Sequence, residues 1–250
     1  MSAQQSRPAS DRLAELGAAL TEVRGRIDAA CRAAGRAVEE VRLLAVTKTF
    51  PAEDAVLLTD LGVLELGENR DQEAGAKADA VAAARPEAAV RWHMVGSLQR
   101  NKARSVARWA AEIQSVDSVR LAGALDRAVG AARAEGERAG VLDVLVQASI
   151  DGDPARGGCP LPGLPALADE VARSGELRLR GVMAVAPLGG DPAAAYDALA
   201  AAAARLRADH PDATELSAGM SGDMELAIGY GSTCVRVGTA LLGVRGLASP

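Results

Sequence analysis

The sequence predicts a single α/β domain folded as a (β/α)8 barrel of the TIM type with an extra N-terminal helix. Three observations carry this expectation. Eight short β-rich runs alternate with Ala-rich helical stretches, the spacers are long enough for crossover helices and hence parallel pairing, and the apolar content is aliphatic. Hydrophobic residues make up 49% of the 250 positions and aromatics only 2%, so Ala, Leu and Val must build the core, which suits helices packed closely on a parallel sheet. An open doubly wound sheet would show the same alternation. Against it, Gly62 and Gly67 do not make a G-x-G-x-x-G fingerprint after the first strand, which ends instead in Thr47-Lys48-Thr49.

Residues 11 to 38 set Leu13, Leu16, Leu20, Val23 and Ile27 at spacings of three and four, the stripe of one amphipathic helix ahead of the first strand. The strand candidates then run Arg42 to Val46, Val63 to Leu66, Val90 to Val95, Glu112 to Val116 and Val141 to Ile150. Leu179 to Val185, Thr214 to Ser217 and Cys234 to Leu242 complete the eight. The run Ala193 to Ala204 fits a solvent-edged helix, because Ala has the best helix propensity. Asp151 to Pro165 has the Pro and Gly content of a linker, but it follows a strand where a barrel carries a βα loop. The chain, residues 1–250, therefore reads as one domain, with residues 1–9 expected to be disordered.

A formal net charge of −5 and a pI near 5.2 disfavour nucleic acid or an anionic membrane as partners and leave small molecules. No apolar run approaches the roughly 20 residues of a membrane span, and MSAQQSRPAS lacks the basic-then-apolar pattern of a signal peptide, so a cytoplasmic protein is expected. Cys31, Cys159 and Cys234 are odd in number and far apart, giving neither a disulfide framework nor a C-x-x-C zinc pattern. With His93 and His210 the only histidines, sites built on several imidazoles are excluded and no metal site is expected. No apolar patch marks an interface, so a monomer is expected.

In a barrel of this kind the working residues stand at strand C-terminal ends. The first strand delivers Lys48 there after apolar positions that would bury its base, and desolvation would free an amine able to condense with an aldehyde. A plain solvated lysine is the competing reading. The second strand ends in Gly67-Glu68-Asn69-Arg70 and the third in Trp92-His93-Met94-Val95-Gly96; Asn69 could equally be a turn or cap and His93 a satisfied core histidine. Leu216-Ser217-Ala218-Gly219-Met220-Ser221-Gly222-Asp223 joins hydroxyls to glycines, letting backbone approach an anion. Arg236 and Gly238-Thr239 fall at the eighth strand, where barrels often bind phosphate. Each loop alone would pass for an ordinary Ser/Gly turn.

Taken together, Ala45-Val46-Thr47-Lys48-Thr49, Gly67-Glu68-Asn69, the run His93 to Lys102, Leu216 to Asp223 and Val235-Arg236-Val237-Gly238-Thr239 resemble the pyridoxal phosphate homeostasis proteins, the YggS/PROSC-like family. Ser115-Val116-Asp117-Ser118 and Gly181-Val182-Met183 fall in the same order, so the similarity runs from about the first helix to the C-terminus. The resemblance implies a single barrel of PLP fold type III, like the N-terminal domain of bacterial alanine racemase, with pyridoxal 5'-phosphate (PLP) held as a Schiff base on Lys48. It carries the phosphate contacts over to Ser217, Gly238 and Thr239, and to Met220 and Ser221. Arg236 matches the arginine that faces the pyridine nitrogen, which keeps that nitrogen unprotonated and weakens the ring as an electron sink. Asn69 is implied beside the ring, and His93 and Met183 as pocket lining. The stretch Gln147 to Asp153 departs from a more usual Asn-containing version, and Ala218 stands where Met is common, so the fifth-strand loop receives no ligand role.

Racemisation needs two proton-transfer groups on opposite faces of the substrate. In the racemases of this fold a Tyr from an added C-terminal β-domain of the partner subunit supplies the second, whereas this sequence reads out at Pro250 with Tyr196 and Tyr230 as its tyrosines. The resemblance thus implies a PLP carrier in intracellular homeostasis, without catalysis and with PLP-dependent apoenzymes as protein partners. A PLP-dependent amino-acid racemase is the alternative. A cofactor-free Schiff-base aldolase acting on sugar phosphates is a third reading.

Overall fold

The computed structural model describes residues 9–150, 152, 157–187 and 191–244. Eight parallel strands close into a barrel. In chain order the strands are β1 (Arg42–Val46), β2 (Glu65–Glu68), β3 (Arg91–Met94), β4 (Glu112–Val116), β5 (Leu142–Ser149), β6 (Cys159–Pro160), β7 (Leu177–Ala184), β8 (Glu215–Met220) and β9 (Cys234–Val237). β1 pairs with β2 on one side and β9 on the other, and β4 closes the ring on β5. The two-residue β6 stands outside the ring against the end of β5. The helices are α1 (Ala9–Ala33), α2 (Ala52–Asp60), α3 (Asp71–Ala84), α4 (Ala103–Trp109), α5 (Val119–Ala134), α6 (Leu164–Arg173), α7 (Pro192–Asp209), α8 (Met224–Gly229) and α9 (Thr239–Leu242).

The strand expected over Cys234 to Leu242 stops at Val237, and its second half is the helix α9, with the amides of Leu241 and Leu242 bonded to the Gly238 carbonyl. A continuous apolar run cannot by itself separate strand from helix. Because α9 has only four residues, the last strand lacks a full covering helix. α1 fills that slot: Leu16, Leu20, Val23 and Ile27 pack in one apolar cluster with Met224, Ile228, Val235 and Leu242. α1 ends at Ala33, short of the expected residue 38, where Gly35 takes φ +65° and the Arg36 amide bonds back to the Cys31 carbonyl. That left-handed stop suits glycine.

The N-terminal end of the barrel is sealed by charge. Arg42, the first residue of β1, reaches Glu112 at 3.0 Å and also pairs with Glu65 and Glu215, which open β2 and β8. Such a buried set is tolerable only because every carboxylate finds a cation or donor. Residues 1–8 lie outside the described residues, so most of the stretch expected to be disordered is not described, and Ala9 already opens α1. The loop expected over Asp151–Pro165 is described only in part, and its later portion holds β6 and a 3-10 turn at Leu161–Gly163. Among the described residues no helix is long and apolar enough to cross a membrane.

Candidate functional site

Lys48 follows β1 by two residues, in the turn at the C-terminal end of the strand. Val46 pairs with Gly67 of β2 and lies under Gly238, where an added Cβ would stand 3.3 Å from the Val46 carbonyl. The backbone leading to Lys48 is pinned. Thr47 donates its amide to Gly67 at 2.9 Å and its hydroxyl to Glu68 at 2.6 Å, and its carbonyl accepts from Lys77 Nζ at 2.8 Å. Lys77 and Glu68, both buried, are themselves paired. Beyond the lysine, Thr49 takes φ +67°, the only positive φ of a non-glycine among the described residues, at a cost of about 1–2 kcal/mol. The expected burial reaches Thr47 but not Lys48, whose side chain is exposed and whose amine has no bonding partner among the described residues. A held backbone with a free amine is the arrangement a nucleophile at a barrel mouth requires.

Asn69 stands next to it at the end of β2, and its Oδ1 is buried without any hydrogen-bond partner. An orphaned acceptor costs about 1–3 kcal/mol unless something else supplies a donor. Gly96, after β3, holds this residue from behind: a Cβ there would lie 2.3 Å from the Asn69 carbonyl oxygen. Backbone cannot yield as a flexible side chain does, so Gly96→Ala should displace Asn69 and cost about 1–3 kcal/mol. Urea unfolding of the variant, read against the wild-type chain, checks this.

Arg236 in β9 is fully enclosed. It donates to Ser217 Oγ at 2.7 Å and to the Ala184 carbonyl at 2.7 Å, and among the described residues no carboxylate pairs with it. Burial pulls its pKa down, yet a guanidinium stays charged. The charge is answered at a distance. Ser217 Oγ donates to Gln114 Oε1 at 2.7 Å, Gln114 Nε2 donates to Glu112 at 2.8 Å, and Glu112 also accepts from Arg42 and from His93 Nδ1. Every hydrogen in this chain points from the mouth toward Glu112, an alignment in which each bond strengthens the next. Two of the five N–H groups of Arg236 are used in this way.

Three of the expected site residues have well-defined surroundings, and one of them lies away from the mouth. His93 is 0% exposed, and its ring nitrogens face Glu112 and Glu65, the residues that open β4 and β2; it is a satisfied core histidine on the far side of the barrel, not a lining of the mouth. Burial pulls its pKa down, and bonding to Glu112 and Glu65 more than reverses that. Met183 is likewise wholly buried, one residue before the carbonyl that holds Arg236. Ser217 gives its hydroxyl hydrogen to Gln114 and accepts one from Arg236, so it stands between the two.

Ser221 stands beside Gly238, Thr239 and Ala240, past the ends of β8 and β9. The Ser221 hydroxyl accepts from the Ala240 amide at 3.2 Å, which joins the loop after β8 to the first turn after β9. Gly219 has φ +90°, and a Cβ there would stand 2.6 Å from that of Ala227, so the loop needs glycine to turn over α8. Asp223 locks it, accepting from the Met220 amide at 2.6 Å and from the Tyr196 hydroxyl at 2.7 Å. Met220 is paired in register with Arg236, and its side chain is partly exposed at the rim. Burial and the bond to Asp223 push the Tyr196 hydroxyl well up, so it holds its proton. The sequence reading assigned no role to Asp223, Gln114 or Glu112. Only Asp223, inside the Ser/Gly loop, carried a local signal.

A family profile described as alanine racemase, N-terminal domain, matches residues 23–246. A pyridoxal phosphate homeostasis protein of Mycobacterium tuberculosis (strain ATCC 25618 / H37Rv) is 51% identical over 249 residues, covering 96% of each chain. Among solved structures, PipY of Synechococcus elongatus PCC7942 with PLP bound superposes with a TM-score of 0.74 at 32% identity, over 91% of this chain and 100% of that one. Alanine racemase from Corynebacterium glutamicum shares the fold, with a TM-score of 0.63 at 14% identity over 92% of this chain and 64% of that one.

Proposed function

The chain belongs to the pyridoxal phosphate homeostasis proteins, and from that premise we propose that it binds pyridoxal 5'-phosphate, with Lys48 as the Schiff-base residue, and serves in its intracellular homeostasis. The carrying observation is that three groups with unused bonding capacity among the described residues stand on, or just past, the neighbouring strands β2, β1 and β9: the amine of Lys48, the orphaned Oδ1 of Asn69 and the remaining donors of Arg236. The solved relative with PLP bound supports the same ligand. When bound, the cofactor supplies an aldehyde, an aromatic pyridine ring and a dianionic tail. Lys48 offers its amine to the aldehyde; Asn69 lies beside the ring and supplies an acceptor. Arg236 donates to the pyridine nitrogen, and because a guanidinium does not give up its proton, that nitrogen stays unprotonated. Ser221, the Gly238 backbone and Thr239 take the tail at two loops where backbone amides can approach an anion.

Retention rather than turnover follows from the mouth's own acids and bases. Tyr196, the tyrosine tied to the cradle through Asp223, is a hydrogen-bond donor and not a base, so a second proton-transfer group opposite Lys48 is missing from this reading. The whole chain acts as one cofactor-binding domain, a cytoplasmic monomer, delivering to PLP-dependent apoenzymes. Borohydride reduction of the PLP-treated protein followed by peptide mapping tests the site. The label is expected on Lys48; a label confined to Lys77 or Lys102 rejects it, and alanine or serine racemisation at enzyme-like rates rejects the carrier role.

A further inference from the structure

We propose that the rim of the barrel carries a second anion site, for a small molecule bearing two or more phosphate groups, between the segment after β3 and helix α5. A groove of about 800 Å3 lies there, lined by Leu98, Gln99, Arg100 and Asn101 from the first element and by Arg120 and Arg127 from the second. Gln99, Arg100 and Asn101 belong to the run after His93 that the cofactor mouth leaves unused. Arg120, Ala124 and Arg127 fall at positions i, i+4 and i+7 of α5, one face of the helix, and the small Ala124 leaves the space between the two guanidinium stems open.

The electrostatics point to an anion. No carboxylate lines the groove, and among the described residues Arg100, Arg120 and Arg127 enter no ion pair. This is not the habit of the neighbourhood: Arg104 pairs with Glu135 at 2.9 Å and Arg108 with Glu137 at 2.8 Å, both on adjoining turns of α4. In a chain of net charge −5, three uncompensated guanidiniums around one concavity leave a local positive field with nothing to answer it. Guanidinium forks match phosphate oxygens two at a time and remain charged at any physiological pH. Three guanidinium charges exceed the roughly two negative charges of one phosphate group, while Gln99 and Asn101 add neutral donors and Leu98 an apolar floor. Both connections leave strand C-terminal ends, so the groove shares a face with the cofactor mouth without sharing a residue with it.

Isothermal titration of inorganic pyrophosphate into the full chain, saturated beforehand with PLP so that the Ser221 cradle is filled, tests the proposal. One binding event is expected, weakening as salt rises. Arg120→Gln and Arg127→Gln should each lower the affinity by about tenfold, with circular dichroism and the bound chromophore unchanged, and orthophosphate should bind more weakly than pyrophosphate. Affinity that survives the double variant overturns the site, as does the absence of pyrophosphate binding at millimolar concentration. A glutamate-rich peptide that binds more tightly than pyrophosphate would instead make the groove a protein-docking surface. If the chain takes up no PLP, the function proposed above fails while the arginine variants still read the groove.

Discussion

Lys48→Ala should abolish covalent retention of PLP while leaving unfolding within the ±0.5 kcal/mol or so typical of surface substitutions, because the side chain is exposed and has no bonding partner among the described residues. Lys77→Ala should do the opposite. Its ammonium is buried between the Glu68 carboxylate and the Thr47 carbonyl, and removing it leaves Glu68, 0% exposed, as an uncompensated interior charge. The expected cost is about 3–5 kcal/mol, with the reactive amine still present. Absorbance and reductive labelling give the first quantity and urea unfolding the second. The pair of results separates the residue that reacts from the one that fixes its backbone; a Lys48→Ala protein that still labels, at Lys77 or elsewhere, would defeat the assignment.

The comparison also shows which physical signals a sequence carries. β1 and β4 fall over the expected residues, Arg42–Val46 and Glu112–Val116, since β-rich runs there are bounded by helical stretches. The second strand was expected at Val63 to Leu66 but occupies Glu65–Glu68. Its charged ends look like loop, yet Glu65 points inward to Arg42 and His93 while Glu68 points outward to Lys77. Strand alternation thus buries both carboxylates on opposite faces, and only the partners, distant in sequence, make that possible.

Of the proposed mouth, position at strand ends marks Lys48, Asn69 and Gly238 as candidates, whereas the place of Asn69 beside the ring and of Arg236 at its nitrogen comes from the family resemblance. Ser217 lies in β8 and Ser221 four residues on in the loop after it, and nothing local says that one supports Arg236 while the other meets the Ala240 amide. The bulge between Ser217 and Met220 decides it, by changing which residues face inward. The sealed charge network is the least legible part. Arg42, Glu65, His93, Glu112 and Glu215 span most of the chain and read singly as surface charge.

That network sets the last expectation: stability should be greatest between about pH 4.5 and 6.5 and fall on both sides. Burial alone would push Glu112 up, but the hydrogen bond from His93 and the charges of His93 and Arg42 bring it from 4.5 to about 2. A depressed carboxylate contributes stability that is full above its unfolded value and lost as pH falls through the folded one. His93 has the opposite sign. Burial lowers it, its bonds to Glu112 and Glu65 raise it above 6.5, and its contribution is full below 6.5 and lost as pH rises through the folded value. The two shifts are one interaction seen from its two partners and count once. Glu215, raised by burial and by the charge of Glu112, opposes them weakly from pH 4.5 upward. Glu112→Gln keeps the shape and removes the charge, so it should cost about 3–5 kcal/mol and flatten the alkaline limb, because His93 loses the carboxylate that holds its proton. Since the hydrogen bonds from Arg236 through Ser217 and Gln114 terminate on Glu112, the same variant should also loosen the arginine at the mouth and weaken PLP retention. Thermal midpoints from pH 3 to 9 measure this; a wild-type curve flat between pH 6 and 9 would mean that the imidazole is neutral and the network is not an ion set at all.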